Sequence, residues 1–158
     1  MLRTIGMMTA TLLFAGLSQQ VSAEGAHMAV SIKQGSFADV REAVDMAITG
    51  RGFVINNVSH VGEMLERTGK DLGGARQVFL HAESVEFCSA TVSRKMMEAD
   101  PDNIVFCPYI ISIYVLPEKP NEVRVAYRKT QLVGTPASRK ALGAVNDLLT
   151  EIIKEALQ

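Results

Sequence analysis

Apolar side chains recur along this chain at two spacings, and the alternation between them lays out the elements. Phe37, Val40, Val44, Ala47 and Ile48 share one face at helical spacing. Ser36 precedes them with Asp39 three residues on, so the run opens on a capping box. Gly50 and Gly52 end it, because glycine takes the left-handed cap conformation without strain. A longer helix is predicted over Ser138–Leu157, with Leu142, Val145, Leu149, Ile152 and Ile153 inward. Weaker helical patterns cover Val61–Leu72, with Val61, Met64 and Leu65 inward and Gly73-Gly74 as the stop, and Ser89–Ala99, capped by Ser89.

Between the helices lie runs rich in β-branched residues: Ala29–Lys33, Phe53–Val58, Gln77–Ala82 continued by Val85–Cys88, and Glu122–Tyr127, where Val123, Val125 and Tyr127 alternate with polar or small residues. Ile104–Leu116 is the strongest strand signal. It is apolar on both faces and so belongs in the centre of a sheet, with Pro108 marking a bulge or a local edge. Asp100-Pro101-Asp102-Asn103 is a turn. This order predicts an α+β fold, a mostly antiparallel sheet covered by helices largely on one face.

The first 23 residues follow a different pattern. Arg3 is followed by an apolar stretch from Ile5 to Leu17, a polar break at Ser18-Gln19-Gln20, and Val21-Ser22-Ala23. A charge, an apolar run and small residues at a cleavage point make an export signal, with cleavage after Ala23. The run falls short of the ~20 apolar residues of a spanning helix, and no cysteine lies near the cleavage point to carry a lipid. The reading is therefore 1–23 as a cleaved signal peptide, 24–34 as a tail and first strand, and 35–158 as a single α+β domain. The mature protein is expected to be periplasmic or secreted, with no membrane anchor after cleavage.

The whole chain carries 16 basic and 17 acidic side chains. Loss of Arg3 with the leader leaves a charge near −2 and no basic stripe, which argues against nucleic acid as a partner. No polybasic segment suggests attachment to a membrane surface. The chain also lacks a P-loop, a G-x-S-x-G elbow and a dinucleotide-binding glycine pattern.

Gly35-Ser36-Phe37, Gly52-Phe53, the acidic turn Glu98-Ala99-Asp100-Pro101, Cys88 before a short helix and Cys107 in the following strand form a set. In these positions the segment from Gly35 to Lys129 resembles domain-of-unknown-function family 302. Much of that family carries Cys-Asn-Pro at the first cysteine and Leu-Pro-Cys at the second. Here the segments read Phe87-Cys88-Ser89-Ala90 and Phe106-Cys107-Pro108-Tyr109, so the cysteines match and their neighbours differ. The segment Ser59–Leu65 also departs from the pattern and suggests an exported subgroup. The resemblance implies a compact α+β fold, often assembled into oligomers, and no established activity.

Cys88 and Cys107 are the only cysteines. In an oxidising compartment the plain reading is a structural disulfide. Helix Ser89–Ala99 runs back about 16 Å and the strand from Ile104 returns about 10 Å, which can set the sulfurs at similar heights. Two other readings stay open: idle thiols, or a reactive pair. In the last, the dipole of the helix after Cys88 lowers its pKa and favours a thiolate that handles sulfur or redox equivalents, with Cys107 as the resolving partner.

His60, where a strand meets a helix, joins the two cysteines as a ligand-binding or redox candidate. No short ligand pair supports a metal site. Non-covalent haem has only the Cys107-Pro108 dipeptide behind it, with His60 or Met64 as the second axial ligand. Met28, Met46, Met64, Met96 and Met97 read as core filler. Tyr109 and Tyr114 are core residues or line a pocket with one polar tip each. His27 falls in the tail and is assigned no role. No catalytic residue is assigned. The expected protein is a non-enzymatic module that binds a small apolar ligand or a protein partner as a homo-oligomer, with any ligand site near Cys88, Cys107 and His60 between the sheet and its covering helices. The alternatives are a thiol protein acting through Cys88 and Cys107, and a purely structural subunit.

Overall fold

The computed structural model describes residues 22–25 and 27–158; the leader expected over 1–23 falls outside the described residues up to Val21. Six strands, β1 (Ser22–Glu24), β2 (Met28–Gln34), β3 (Val54–Ser59), β4 (His81–Cys88), β5 (Tyr109–Val115) and β6 (Glu122–Arg128), form one sheet in the order β1-β2-β6-β5-β4-β3. Every pairing is antiparallel. Four α-helices connect or follow them: α1 (Phe37–Thr49), α2 (Val61–Asp71), α3 (Ala90–Ala99) and α4 (Pro136–Ala156). This is the α+β architecture the periodicity predicts.

Because side chains alternate along a strand, the register sorts the sheet into two faces. Val85 and Phe87 of β4 stand beside Ile111 and Tyr109 of β5, and Ile113 stands beside Val125 of β6. All are buried, together with Val40, Val44 and Ile48 of α1, Met96 of α3 and Leu142, Val145, Leu149 and Ile152 of α4. That face and those three helices make the core. Ser36 and Thr135 cap α1 and α4 through their hydroxyls. The Lys33 ammonium ties β2 to the end of the chain by donating to the carbonyls of Leu157 and Gln158.

The other face carries Ala82, Ser84 and Glu86 of β4, Ile110, Ser112 and Tyr114 of β5, Arg124, Ala126 and Arg128 of β6, and Met28, Val30 and Ile32 of β2. Only α2 approaches it. A Cβ on Gly62 would stand 2.9 Å from the Ala82 backbone nitrogen, so glycine lets the first turn of α2 lie against β4. None of the α2 side chains is fully buried; Val61 and Leu65 are half-buried, and Met64, expected inward, is exposed.

Four further expectations change. The strand expected from Gln77 begins at His81. Leu80 N–H donates to the Val115 carbonyl, but β5 ends there, so residues before Leu80 have no ladder to join. The strand expected from Ile104 begins at Tyr109, because Pro101–Phe106 forms a 3₁₀ helix. Asp100 caps it, with its carboxylate accepting from Asp102 N–H at 3.1 Å. Asn103, buried beneath, donates to the Met96 carbonyl and shares hydrogen bonds with Ser138. The Cys107-Pro108 peptide is cis. The tail expected over 24–28 is entered by β1, whose Ser22, Ala23 and Glu24 pair with Ser31, Val30 and Ala29. Of the methionines expected as core filler, Met96 is buried while Met28, Met46 and Met64 are exposed.

Candidate functional site

Cys88 is the last residue of β4 and Cys107 precedes the turn into β5. Both are half-buried, and their sulfurs lie 2.8 Å apart. A small closure would bring them to the about 2.05 Å of a disulfide. Ser93 Oγ is 3.8 Å from Cys107 Sγ and 2.9 Å from Tyr109 Oη, so a buried hydroxyl pair underlies the thiols.

The acidity expected of Cys88 is not found. Burial pushes its thiol up to about 11; the facing Cys107 adds to the rise, and the Tyr109 backbone opposes it. The reason lies at the start of α3. Ser89 is the N-cap, its hydroxyl accepting from Val92 N–H. Cys88 stands one residue outside the cap, beyond the free N–H groups that would stabilise a thiolate. Burial also holds the Tyr109 phenol above its ordinary value, against the hydrogen bond from Ser93.

His60 does not join the cysteines. Val54 pairs with Cys88 at one end of β3, and Ser59 with Ser84 at the other. With the bulge between Ile55 and Asn57, His60 is therefore about 17 Å along the sheet from the thiols. It stands at the start of α2, with Nδ1 3.2 Å from Glu83 Oε1. The other Glu83 oxygen accepts from Arg41 Nε at 2.7 Å, and Arg41 also pairs with Asp45. This chain of charges links α1, β4 and α2. The separation removes His60 and Cys107 as ligands of one haem iron. Met64, the other ligand considered, is exposed on α2. Among the described residues no group of three acidic, histidine or cysteine side chains is placed to hold a metal ion.

A trough on the face away from the core was not foreseen. Its volume is about 700 Å³, and its lining is mostly apolar. Ser84 and Ser112, with hydroxyls 2.9 Å apart, lie at its floor beside Ala82 and Ala126. Small side chains at these paired positions leave the hollow. Val61, Phe79 and Tyr114 wall one end, the two rings meeting edge to face at 5.5 Å. His27, Phe106, Pro108, Ile110 and Arg128 frame the other. His27, expected to be idle in a tail, thus lines the trough, and its carbonyl accepts from Lys129 N–H. Tyr109 and Tyr114 both contribute to the lining, Tyr109 being otherwise a core residue. The signal in the sequence was Ala82, Ser84, Ser112 and Ala126, small residues that the register sets on one face of three adjacent strands.

The family model for Domain of unknown function DUF302 matches residues 28–158. The chain belongs to this family. The match takes in β2 through α4, and so the core and all of the trough's lining but His27. No curated protein matches the sequence. Among solved structures, the crystal structure of uncharacterized conserved protein DUF302 from Bacillus stearothermophilus superposes with a TM-score of 0.70 at 15% identity, covering 84% of this chain and 99% of that one. At that identity the likeness shows a shared fold.

Proposed function

We propose that this DUF302 protein is a binding module that takes a small, mostly apolar molecule into the trough on the face of its sheet away from the core. The observation that carries this reading is the trough itself. Its ~700 Å³ falls within the roughly 300–1,000 Å³ of small-molecule sites, and an apolar lining with few polar groups is their usual chemistry. The hollow follows from sequence, since it lies over the small residues Ala82, Ser84, Ser112 and Ala126. Titration with decanol tests it. Saturable binding that Ser112→Phe abolishes, with the fold intact, supports the module. Absence of binding, with dimers that dissociate on Ser112→Phe, would instead assign the face to a second copy of the chain.

We place the protein outside the cytoplasm on the pattern of Arg3, the apolar run and Val21-Ser22-Ala23. Cleavage after Ala23 would remove most of β1 and leave β2 as the sheet edge. The N-terminal sequence of the protein recovered from the producing cell tests this, with Glu24 as the expected first residue.

A second reading, a thiol protein, rests on the 2.8 Å approach of the two sulfurs. In exchange with a disulfide partner, Cys88 and Cys107 would give up two protons and two electrons and join, while the partner's disulfide is reduced to two thiols. The raised pKa of Cys88 weighs against a fast attacking thiolate, so this reading ranks below the trough. Cys88→Ser that stays folded and keeps ligand binding would separate the two.

A further inference from the structure

Resting on the trough reading, we infer that the ligand is an amphiphile with an acidic head group, and that Arg128 at the Pro108 end of the trough receives it. The face that holds the trough carries two arginines and two acids at its sheet positions. Arg124 and Arg128 both project from β6 onto it. Its acids are Glu86, which accepts from Asn57 at 3.4 Å, and Glu122, held by Lys119 at 3.0 Å. Glu83, which also touches the trough, is engaged by Arg41 and His60. Neither arginine makes an ion pair among the described residues, although Arg41, Arg51, Arg76 and Arg94 all do. Arg124 Nε is buried without a hydrogen-bond partner. Of the two only Arg128 lines the trough, next to Lys129. It stands across β2 from Met28 and is exposed, so its guanidinium is free to meet a ligand.

The two ends of the trough differ accordingly. The Phe79–Tyr114 end is aromatic and suits a hydrocarbon tail. The Arg128 end offers a planar fork of N–H donors that matches a carboxylate or another oxyanion with two parallel hydrogen bonds. Ile110 and Tyr114 bracket a run of β5 spanning about 14 Å, which sets the tail at about ten carbons. Carboxylate, sulfate and phosphate heads share this chemistry, and comparing them is part of the test.

The experiment compares decanoate, decyl sulfate, decyl phosphate, decanol and decyltrimethylammonium by calorimetric titration, below the concentrations at which each forms micelles. It uses the full mature chain and the variants Arg128→Gln, Arg128→Lys and Ser112→Phe. The inference expects the acidic ligands to bind about ten-fold tighter than decanol, as a charge-assisted hydrogen bond would give. It expects the cation to bind weakest. Arg128→Gln should erase the preference, while Arg128→Lys restores part of it. Arg128 is exposed at the end of β6, so unchanged melting of these variants is the fold control. Equal binding of decanoate and decanol, both abolished by Ser112→Phe, would overturn the head-group inference and leave the trough standing. A preference that survives Arg128→Gln would overturn the role of Arg128. Failure of every ligand to bind would remove the trough reading with it.

Discussion

Cys88 and Cys107 face one another at 2.8 Å, between the end of β4 and the turn into β5, with α3 and the 3₁₀ helix enclosed between them. Mild oxidation is therefore expected to join them within one chain. Mass spectrometry should show the loss of two hydrogens and no dimer. Closing a loop of this length stabilises by about 3 kcal/mol in the chain-entropy model. Cys88→Ser and Cys107→Ser should lower the denaturant midpoint of the oxidised protein equally. Under reducing conditions that shared loss should disappear.

The reduced pair carries its own pH signature. Burial raises the Cys88 thiol from 9.0 to about 11, so the folded chain holds that proton more tightly than the unfolded one. The corresponding stability is fully present below pH 9 and is lost as pH rises from there through about 11. Alkylation of the reduced, folded protein should be slow near neutrality and accelerate across the same window. Fast alkylation of Cys88 at pH 7 would contradict the burial argument and revive the reactive-thiol reading.

Asn103 holds three elements together. Its amide donates to the Met96 carbonyl at the end of α3 and to Ser138 in the first turn of α4, from within the 3₁₀ helix. Asn103→Ala removes both bonds, taking its amide partner from the buried Ser138 hydroxyl and leaving the Met96 carbonyl with Asp100 N–H alone. A loss of about 1–3 kcal/mol is expected, read from chemical denaturation. Asn103→Asp should also destabilise, since a carboxylate cannot donate to the Met96 carbonyl.

Glu83 anchors Arg41 across the interface between α1 and β4 and also meets His60. Arg41 is only 14% exposed, so Glu83→Ala leaves a shielded guanidinium with Asp45 as its remaining partner. That should cost about 1–3 kcal/mol. His60→Ala, at a position 54% exposed, should change stability by less than about 0.5 kcal/mol.

Most of this fold was legible in the sequence because its core elements are strictly periodic. The face of α1 built on Val40, Val44 and Ile48, and the alternation of Val123, Val125 and Tyr127, each match one burial pattern and no other. The misreadings share a cause. Ile104-Val105-Phe106 is as apolar as any strand, but Asp100 caps a 3₁₀ turn there and Val105 is 71% exposed. Val61, Met64 and Leu65 have helical spacing, yet α2 meets the sheet only through its first turn. Composition reports that a segment can be buried; pairing partners decide whether it is. The site was legible in half. The approach of Cys88 and Cys107 followed from the lengths of a helix and a strand. The distance of His60 did not, because it depends on antiparallel register between β3 and β4. The trough stayed hidden because it is made by small residues facing one another across three strands, a relation that exists only once the sheet is assembled.

The most direct test of the central claim is an amide NMR titration of isotope-labelled protein with decanoate. Binding in the trough predicts saturable shifts confined to Ser84, Ile110, Ser112, Tyr114, Ala126 and Arg128 and their neighbours, with the amides of α1 unmoved. Shifts centred on the helical layer or around Cys88 and Cys107, or none at all, would contradict it.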